Sequence, residues 1–353
     1  MLSHDRCGLV DKHLLLALII PECQNLCQAN QPSPIRPGAA RSTQPPRNRK
    51  LVYWYCMLID FNKTVLMSGA DYFGDNDAIN ELMDASVPVN VKKAIAEHSL
   101  IKQTLQKIGI DVKSVPAPPN CQDGVYTSNW GLVRNGKAVM SRLPNKRQPE
   151  EAYALQTLQA LGLKTLILPK HIQRFSGQGD ALPCGDILFT QSPFRTTIDA
   201  HPYLKDWLGF REVISLQTKP ARWFGVGPAK TNKLTGLPDS PTYDIDLALA
   251  VLKEPTNDKK GLVAYCPAAF KHQSRKLLRA YTAVDKIEVS HHEALQAFAL
   301  NLVSNGKTVV MNNGAPVFQA AIEAHGLKTI TLNLPELHKG GGSIRCTTLT
   351  LTN

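Results

Sequence analysis

The side chain best suited to covalent chemistry is a cysteine that follows three glycines near the end of the chain. Cys346 lies in HKGGGSIRCTTLTL, residues 338–351, after Gly340, Gly341 and Gly342 and ahead of an alternating, strand-like segment. Glycines let the backbone turn tightly and approach a ligand, and a thiolate is a strong nucleophile. From this spacing alone, a small buried cysteine at the edge of a strand is the favoured interpretation.

A nucleophilic Cys346 needs a group that removes its proton. An unassisted thiol has a pKa of about 8.5, so only a few per cent of it is thiolate at neutral pH. His338 precedes the glycine run and is a candidate base. A position on the surface is the simpler interpretation for it and for the other histidines in loops or at helix starts, which are His171, His201, His291 and His292.

Composition limits the class of protein. The 353 residues suffice for one large domain or two ordinary ones, and 40 Lys+Arg against 29 Asp+Glu give a formal charge of +11. The basic residues are dispersed and do not alternate with aromatic residues, which argues against nucleic-acid binding. The scattered cysteines match neither a zinc site nor a disulfide framework and are typical of a reducing compartment; they are Cys7, Cys23, Cys27, Cys56, Cys121, Cys184, Cys266 and Cys346.

The first 50 residues differ from the rest. HLLLALII, residues 13–20, is too short to span a bilayer, and no small-residue cleavage site follows it. Residues 28–50 are rich in Pro, Arg and Ser, a composition typical of disorder. We therefore predict a disordered extension over 1–56, a single domain over 57–353, and a cytoplasmic location. Export through a signal-like N-terminus is the alternative.

From Thr64 onward, strand-like and helix-like segments alternate in about five strand–strand–helix–strand rounds. A helix is predicted to stop at Gly109, and Asn135-Gly136 to join two strands. This pattern predicts an α/β fold. Residues 219–241, rich in Gly, Pro and Lys, interrupt it as a loop long enough to suggest a functional role.

Eight segments, in order, resemble the guanidino-group-modifying enzymes of the pentein superfamily, and within it the dimethylarginine dimethylaminohydrolase and amidinotransferase-like branch. The resemblance covers roughly residues 65–353 and implies an α/β propeller of five ββαβ modules. The segments that carry it are 67–83, 122–133, 145–151, 175–189, 194–196, 243–252, 297–306 and 336–349.

The resemblance implies that Cys346 is the nucleophile. In this family a cysteine thiolate attacks the carbon of a planar guanidinium and displaces an amine. A thiouronium intermediate remains, which water or a second amine resolves.

Two other catalytic positions depart from the family pattern. The family histidine belongs to a YHLD-like motif, and the matching residues here are YDID, which places Asp244 at the histidine position. The family glutamate opens an FEGxGD motif, and here FSGQGD places Ser176 there. An aspartate beside Cys346 would raise the pKa of the thiol further, because like charges disfavour each other. Asp244 can protonate a leaving amine only if burial keeps it protonated.

The same resemblance implies a set of substrate-binding residues. Asp246 matches the family acid that binds guanidinium, and Asp180 ends the FSGQGD motif. Asn129 stands where family members have an acid or Asn. Arg147 and Arg195 match arginines that hold a substrate carboxylate, for which a planar fork is suited.

Together these features predict an amidinohydrolase, of the dimethylargininase type, or an amidinotransferase-like protein. The alternative is a pseudoenzyme that binds a guanidino ligand or partner without turnover, because Ser176 and Asp244 replace catalytic residues. The chemistry requires no cofactor and no metal. The expected partner is a small guanidino molecule such as arginine or methylarginine, with no nucleic acid and no membrane, and homo-oligomerisation is left open.

Overall fold

The computed structural model describes residues 61–74, 76–223 and 226–351. The chain divides into Met1–Met57 and Leu58–Asn353, and every described residue belongs to the second unit. The extension predicted over 1–56 therefore lies outside the described residues, and the domain boundaries remain a prediction. In the described part of the chain, none of the helices combines the length and the apolar character needed to cross a membrane.

Strands and helices alternate along the described residues. The strands are β1 Thr64–Ser68, β2 Asp111–Val115, β3 Gly131–Arg134, β4 Lys137–Met140, β5 Lys164–Leu166, β6 Ala181–Cys184, β7 Ile187–Gln191, β8 Glu212–Leu216, β9 Leu249–Lys253, β10 Gly261–Tyr265, β11 Val284–Glu288, β12 Val303–Ser304, β13 Thr308–Asn312, β14 Lys328–Leu332 and β15 Leu349–Thr350. The helices are α1 Val91–Lys107, α2 Pro149–Ala160, α3 His201–Leu208, α4 His272–Ala280, α5 His291–Gln296, α6 Pro316–Ala324 and α7 Pro335–His338.

The strands form five three-stranded sheets with one shared topology. In β3-β4-β5 an antiparallel hairpin is followed by a helical crossover to a parallel third strand, and the next three sheets repeat this arrangement. The fifth sheet joins the two ends of the domain, because β15 pairs antiparallel with β1, which pairs parallel with β2. The five predicted ββαβ rounds are confirmed.

Local sequence explains these elements. The side chain of Asn90 caps α1 by accepting from the backbone N–H of Lys93. Ala94, Ile101 and Leu105 form the buried face of that helix. The central strands of the sheets are buried on both faces and read as continuous apolar runs, as in GLVAY of β10.

Apolar cores join each sheet to the next and the fifth to the first. A ring of five sheets is therefore closed, as the pentein fold predicts. Leu66 of β1 and Trp130 join the sheet of β1 to that of β3, and Val139 of β4 and Leu188 of β7 join the next pair of sheets. Phe189, Tyr265 and Met311 connect the sheets of β7, β10 and β13, and Val310 of β13 and Val65 of β1 complete the ring.

This topology gives the five sheets one shared feature. In each, the chain runs through a short turn into the first strand of the antiparallel hairpin, which is β3, β6, β9, β12 or β15. The residues just before these strands are buried. Side chains far apart in sequence can therefore meet at the centre of the ring.

Candidate active site

Each of the five turns contributes a polar side chain to one buried cluster. Asn129 comes before β3, Asp180 before β6, Asp246 before β9, Asn301 before β12 and Cys346 before β15. All five are at most 3% exposed. Four of them were predicted from the sequence, and the structure brings these four into the same cluster.

Cys346 is held from two sides. Its thiol lies 3.3 Å from Oδ2 of Asp246 and donates to it. Asn301 donates from Nδ2 to Sγ at 3.1 Å and accepts from the backbone N–H of Cys346 through Oδ1 at 3.1 Å. The position of the sulfur is therefore fixed by one carboxyl and one amide.

The glycine run allows this close packing. Gly341 adopts a positive φ of 83°, a conformation that glycine tolerates best. A Cβ at Gly342 would lie 2.6 Å from Cε1 of Tyr126 and 2.9 Å from Cβ of Cys346. The glycines therefore let the loop press against Tyr126 and bring Cys346 into the centre of the ring.

The two substituted catalytic positions lie side by side. Nδ2 of Asn129 is 2.9 Å from Oγ of Ser176 and 2.8 Å from Oδ2 of Asp244. The residues at the family glutamate and histidine positions thus share one amide group as a neighbour. Asp244, Asp246 and Cys346 also interact electrostatically, so both halves of the cluster belong to one site.

Burial dominates the protonation of this site. It raises the pKa of Asp246 to about 8, with Asp244 as the next contribution. Burial likewise raises the pKa of Asp244, and it raises that of Asp180 well above its ordinary value, with the charge of Asp244 adding to the effect. The pKa of the Cys346 thiol is raised well above 9.0 by burial first and then by Asp246 and Asp244. Without a ligand, the site therefore favours a neutral thiol.

Arg147 is positioned differently from the expectation. Its guanidinium donates to both carboxylate oxygens of Glu150, at 2.8 and 2.7 Å, and to Oδ1 of Asn129 at 2.7 Å. It also donates to the carbonyls of Asp123 and Tyr126. Burial disfavours the charged guanidinium, but Glu150 outweighs that effect and raises the pKa of Arg147. In this structure Arg147 orients Asn129 and is not free to hold a substrate carboxylate.

Arg195 leaves more of its donors free. Its guanidinium carbon lies 4.7 Å from the ring centre of Tyr243, and one N–H donates to the carbonyl of Ile79 at 2.8 Å. It also acts electrostatically on Asp244. The side chain is 6% exposed and so lies in the protein interior near Asp244.

His338 is part of a network that ends at the nucleophile. Its Nε2 lies 3.1 Å from Oδ1 of Asn312 and 3.2 Å from Oγ of Ser343. Oδ1 of Asn312 accepts hydrogen bonds only, so Nε2 carries the proton. The backbone N–H of Ser343 donates to Asn301, which holds Cys346. Burial lowers the pKa of His338 to about 4, so its ring is neutral near pH 7. Its hydrogen bonds go to Asn312 and Ser343 and not to the thiol, so His338 supports the glycine loop.

The other histidines considered from the sequence do not contribute to the cluster. His171, His291 and His292 are exposed. His201 is buried, but its Nε2 lies beside Oγ1 of Thr190 in β7.

Residues 76–83 form a segment that is tied to the long loop and to the glycine run. Lys230 pairs with Glu81 at 2.6 Å, and Asn232 donates to the carbonyl of Ala78 at 3.1 Å. The long loop 219–241 therefore fastens this segment, and Nδ2 of Asn80 ties it to the glycine run through the carbonyl of Gly340.

Sequence reasoning missed Asn301 and Arg345. Asn301 lies in the AFALNLVSNG segment that carries part of the family resemblance, and its place before β12 repeats that of Asn129 before β3. Arg345 is adjacent to Cys346 and buried. The signal for Asn301 was the repeated module, because the module that begins with β12 lacked an assigned site residue.

We expect Asn301→Ala to slow both alkylation of Cys346 and turnover about 10- to 100-fold. It removes two hydrogen bonds to the nucleophile, and each such bond in a buried site is worth about 1 kcal/mol. Asn305→Ala is a matched control, because Asn305 donates to the carbonyl of Ile108 in a neighbouring loop. Equal rates in the two variants would contradict the role given to Asn301.

Metal ligation is not supported by the described side chains. Among residues 61–74, 76–223 and 226–351, no group of three or more His, Cys, Asp or Glu residues is arranged to hold a metal ion. The acids at the centre of the ring instead surround a thiol and two amides.

Comparison with known proteins places this geometry in context. Residues 70–197 match the family model described as N,N dimethylarginine dimethylhydrolase, eukaryotic. The chain is 32% identical over 285 residues to an N(G),N(G)-dimethylarginine dimethylaminohydrolase of Mycobacterium tuberculosis, and the match covers 80% of this chain and 84% of that protein.

Two further relatives are arginine dihydrolases. The chain is 30% identical over 292 residues to the bifunctional arginine dihydrolase/ornithine cyclodeaminase AgrE of Nostoc, which covers 81% of this chain but only 37% of that longer protein. The N-terminal domain of ArgZ, from Synechocystis, has a crystal structure with a covalently bound reaction intermediate. It superposes with a TM-score of 0.71 at 26% identity, covering 82% of this chain and 98% of that domain.

Proposed function

Because the chain belongs to the dimethylarginine dimethylaminohydrolase branch of the pentein superfamily, we propose that it is an amidinohydrolase acting on a guanidino compound through Cys346. The relatives hydrolyse guanidino groups, as their names state. Fold alone would not carry an activity to this chain, so the proposal depends on what its own site can do.

One observation carries the proposal. Three buried carboxyl oxygens of the cluster have no hydrogen-bond partner among the described residues, namely Oδ2 of Asp180, Oδ1 of Asp244 and Oδ1 of Asp246. Buried polar atoms are normally paired, and leaving them unpaired costs about 1–3 kcal/mol each. A guanidinium offers planar N–H donors and a positive charge. It would satisfy these atoms beside the sulfur that attacks it.

The bound cation would also prepare the nucleophile. A positive charge beside Asp246 and Cys346 favours the ionised form of both groups, and an ionised Asp246 in turn favours the protonated form of Asp244. The cation opposes the burial that keeps the thiol neutral. Thiolate would then form mainly when a guanidinium is present, with Asp246 taking the thiol proton along the existing 3.3 Å hydrogen bond.

The reaction then proceeds in two displacements. The sulfur forms a bond to the guanidinium carbon, and the carbon–nitrogen bond to the departing amine breaks as that amine gains a proton. A thiouronium intermediate remains on Cys346. Water adds to its carbon and gives one proton to the Asp244 carboxylate left by the first displacement and the other to solvent. The carbon–sulfur bond breaks, and a ureido product leaves with the thiolate restored.

Asp244 is the proton donor for the departing amine in this proposal. It stands at the family histidine position, it is buried, and its pKa is raised. Its Oδ2 accepts from Asn129, so Oδ1 is the oxygen that can carry the proton. A protonated carboxyl in this role is a weaker arrangement than a histidine, because less of it has the required form near neutral pH.

The substrate would be arginine, a methylarginine or a similar guanidino acid. Arg195 is the group left to hold its carboxylate, since all three guanidinium nitrogens of Arg147 already donate to protein oxygens. The relatives named for arginine and dimethylarginine hydrolysis support this class. A cytoplasmic location and the absence of nucleic-acid and membrane partners are further parts of the proposal.

Ligand binding without turnover is the second candidate. Ser176 and Asp244 are the observation behind it, because a site that lacks the family histidine and glutamate can still bind a cation. The two candidates share the binding site and differ in whether Cys346 reacts.

The decisive experiment is mass spectrometry of the intact protein after incubation with arginine, monomethylarginine and dimethylarginine. A turning-over enzyme quenched in acid should show an added mass on Cys346 equal to the amidino fragment. The Cys346→Ser variant should show none. Binding of these compounds without any adduct or ureido product would favour the second candidate.

The affinity for arginine should depend on pH. Below pH 8 the Asp246 carboxyl is mainly protonated in the free protein, and a bound guanidinium requires it ionised. Affinity should therefore rise as pH increases from 6 to 8, by at most about tenfold per pH unit for one released proton, and level off above. Calorimetry on the Cys346→Ser variant avoids turnover, and Asp246→Asn in that background should bind weakly with a flat profile.

A further inference from the structure

Arg345 is a buried arginine beside the nucleophile that forms no ion pair within the described part of the chain. It is 7% exposed. Its guanidinium donates to Oγ1 of Thr350 at 3.0 Å and to Oε1 of Gln178 at 2.9 Å, both neutral acceptors. A buried charge normally has a compensating partner, as Arg147 has in Glu150. The charge of Arg345 therefore requires an explanation.

The compensation comes from the candidate site. Burial lowers the pKa of Arg345, and the charges of Asp246 and Cys346 act in the opposite direction. Arg345 is adjacent to Cys346 in the chain, and the thiol is hydrogen-bonded to Asp246. The guanidinium thus lies within electrostatic range of both groups without occupying the place of a substrate.

We propose that Arg345 is a positioning residue whose fixed positive charge stabilises the thiolate of Cys346 and the carboxylate of Asp246. The inference rests on the proposed function, because the proposed reaction is the reason why a thiolate is needed. Thiolate formation itself can be measured without any turnover.

The guanidinium is held rigidly, as a preorganised charge must be. Gln178 accepts from Arg345 and from the backbone N–H of Thr350 through Oε1, and its Nε2 donates to the carbonyl of Thr350. Gln178 belongs to the same turn as Ser176 and Asp180. The turn in which Ser176 replaces the family glutamate therefore holds the guanidinium of Arg345 in place next to Cys346.

The surroundings of the thiol make this cation important. Asp244 and Asp246 oppose thiolate formation, and Tyr126 and Tyr243 face the thiol with raised pKa values of their own. Arg195 acts on Asp244 and Tyr243, and it lies over the Tyr243 ring. Position 244 holds an aspartate and not a histidine, so it supplies no positive charge. Arg345, the residue directly before Cys346, supplies a permanent one.

The test is the pH dependence of Cys346 alkylation by iodoacetamide, followed by peptide mass spectrometry. Its midpoint reports the pKa of the thiol, and no substrate is needed. Arg345→Gln removes the charge and should raise that midpoint by about one unit or more, with a matching loss of about tenfold in rate at neutral pH. Arg345→Lys keeps the charge and should stay within about half a unit of the native protein.

Arg142→Gln is the matched control. Arg142 also donates only to neutral oxygens, the carbonyls of Leu168, Lys170 and Ile172, and it belongs to a different segment. A purely structural effect of losing such an arginine would therefore appear in both glutamine variants as a lower melting temperature. The shift in the alkylation midpoint should appear only at Arg345.

Several results would overturn the proposal. One is a folded Arg345→Gln variant with the native midpoint, and another is a folded Arg345→Gln variant whose alkylation rate at a fixed pH below the midpoint equals that of the native protein. Arg345→Met provides a second uncharged variant if the glutamine variant does not fold. If neither Arg345→Gln nor Arg345→Met folds, Arg345→Lys is the deciding variant, because it keeps the charge while weakening the bonds to Gln178 and Thr350. A native alkylation midpoint in that variant supports the proposal, and a shift of about one unit refutes it. A protein without turnover but with the expected midpoints would refute only the proposed function.

Discussion

Cys346→Ala is expected to abolish hydrolysis of arginine and methylarginines while leaving their binding within about threefold of the native protein. The thiol is the only group in the cluster placed to form a bond to the guanidinium carbon, so no alternative covalent route remains. The carboxyls that would bind the cation are untouched, and binding loses only the contact with sulfur, worth a fraction of a kcal/mol. Ureido product measured by colorimetry, together with calorimetric binding, separates the two effects.

The control for this variant is Cys184→Ala. Cys184 is also a buried free cysteine, but it lies in β6 with its sulfur 3.8 Å from the carbonyl of Lys253. It should retain native turnover with a modest loss of stability from the small cavity. Residual hydrolysis by Cys346→Ala would mean that water is activated directly, and the thiouronium pathway would then be wrong.

The fold could be predicted from the sequence because its signals are local and repeated. Alternating apolar runs gave the strands, and segments such as VKKAIAEHSLIKQTLQK gave the helices between them. The pairing of β15 with β1 had no local signal, since it joins residues nearly 300 positions apart. It followed only from the family resemblance, which implied a closed ring.

The site could be predicted less completely for a physical reason. The sequence shows which residue type stands at a family position, but it does not show which groups that side chain binds by hydrogen bonds. Arg147 illustrates this, because its donors are taken by Glu150, three residues away, and by Asn129. Asn301 and Arg345 were missed because their roles depend on distances that only the closed ring creates.

The contact between the two substituted positions leads to the last prediction. Restoring the family residues with Ser176→Glu and Asp244→His together should raise kcat/KM for arginine or dimethylarginine by about 10²- to 10⁴-fold, the usual contribution of general acid–base catalysis. A histidine can protonate the departing amine near neutral pH, and a carboxylate beside it favours its charged form. The side chain at position 244 packs directly against Gly179, where a Cβ would lie 2.7 Å from Oδ2 of Asp244.

Each single reversion should give far less than the pair. Ser176→Glu alone places a new carboxylate next to Asp244, because both side chains already contact Nδ2 of Asn129, and the two like charges repel. Asp244→His alone lacks the carboxylate that would support its charged form. The gain should therefore be strongly non-additive, and it should vanish when Cys346→Ala is added. A double variant that keeps the native melting temperature but shows no gain would mean that the loss of activity lies elsewhere in the site.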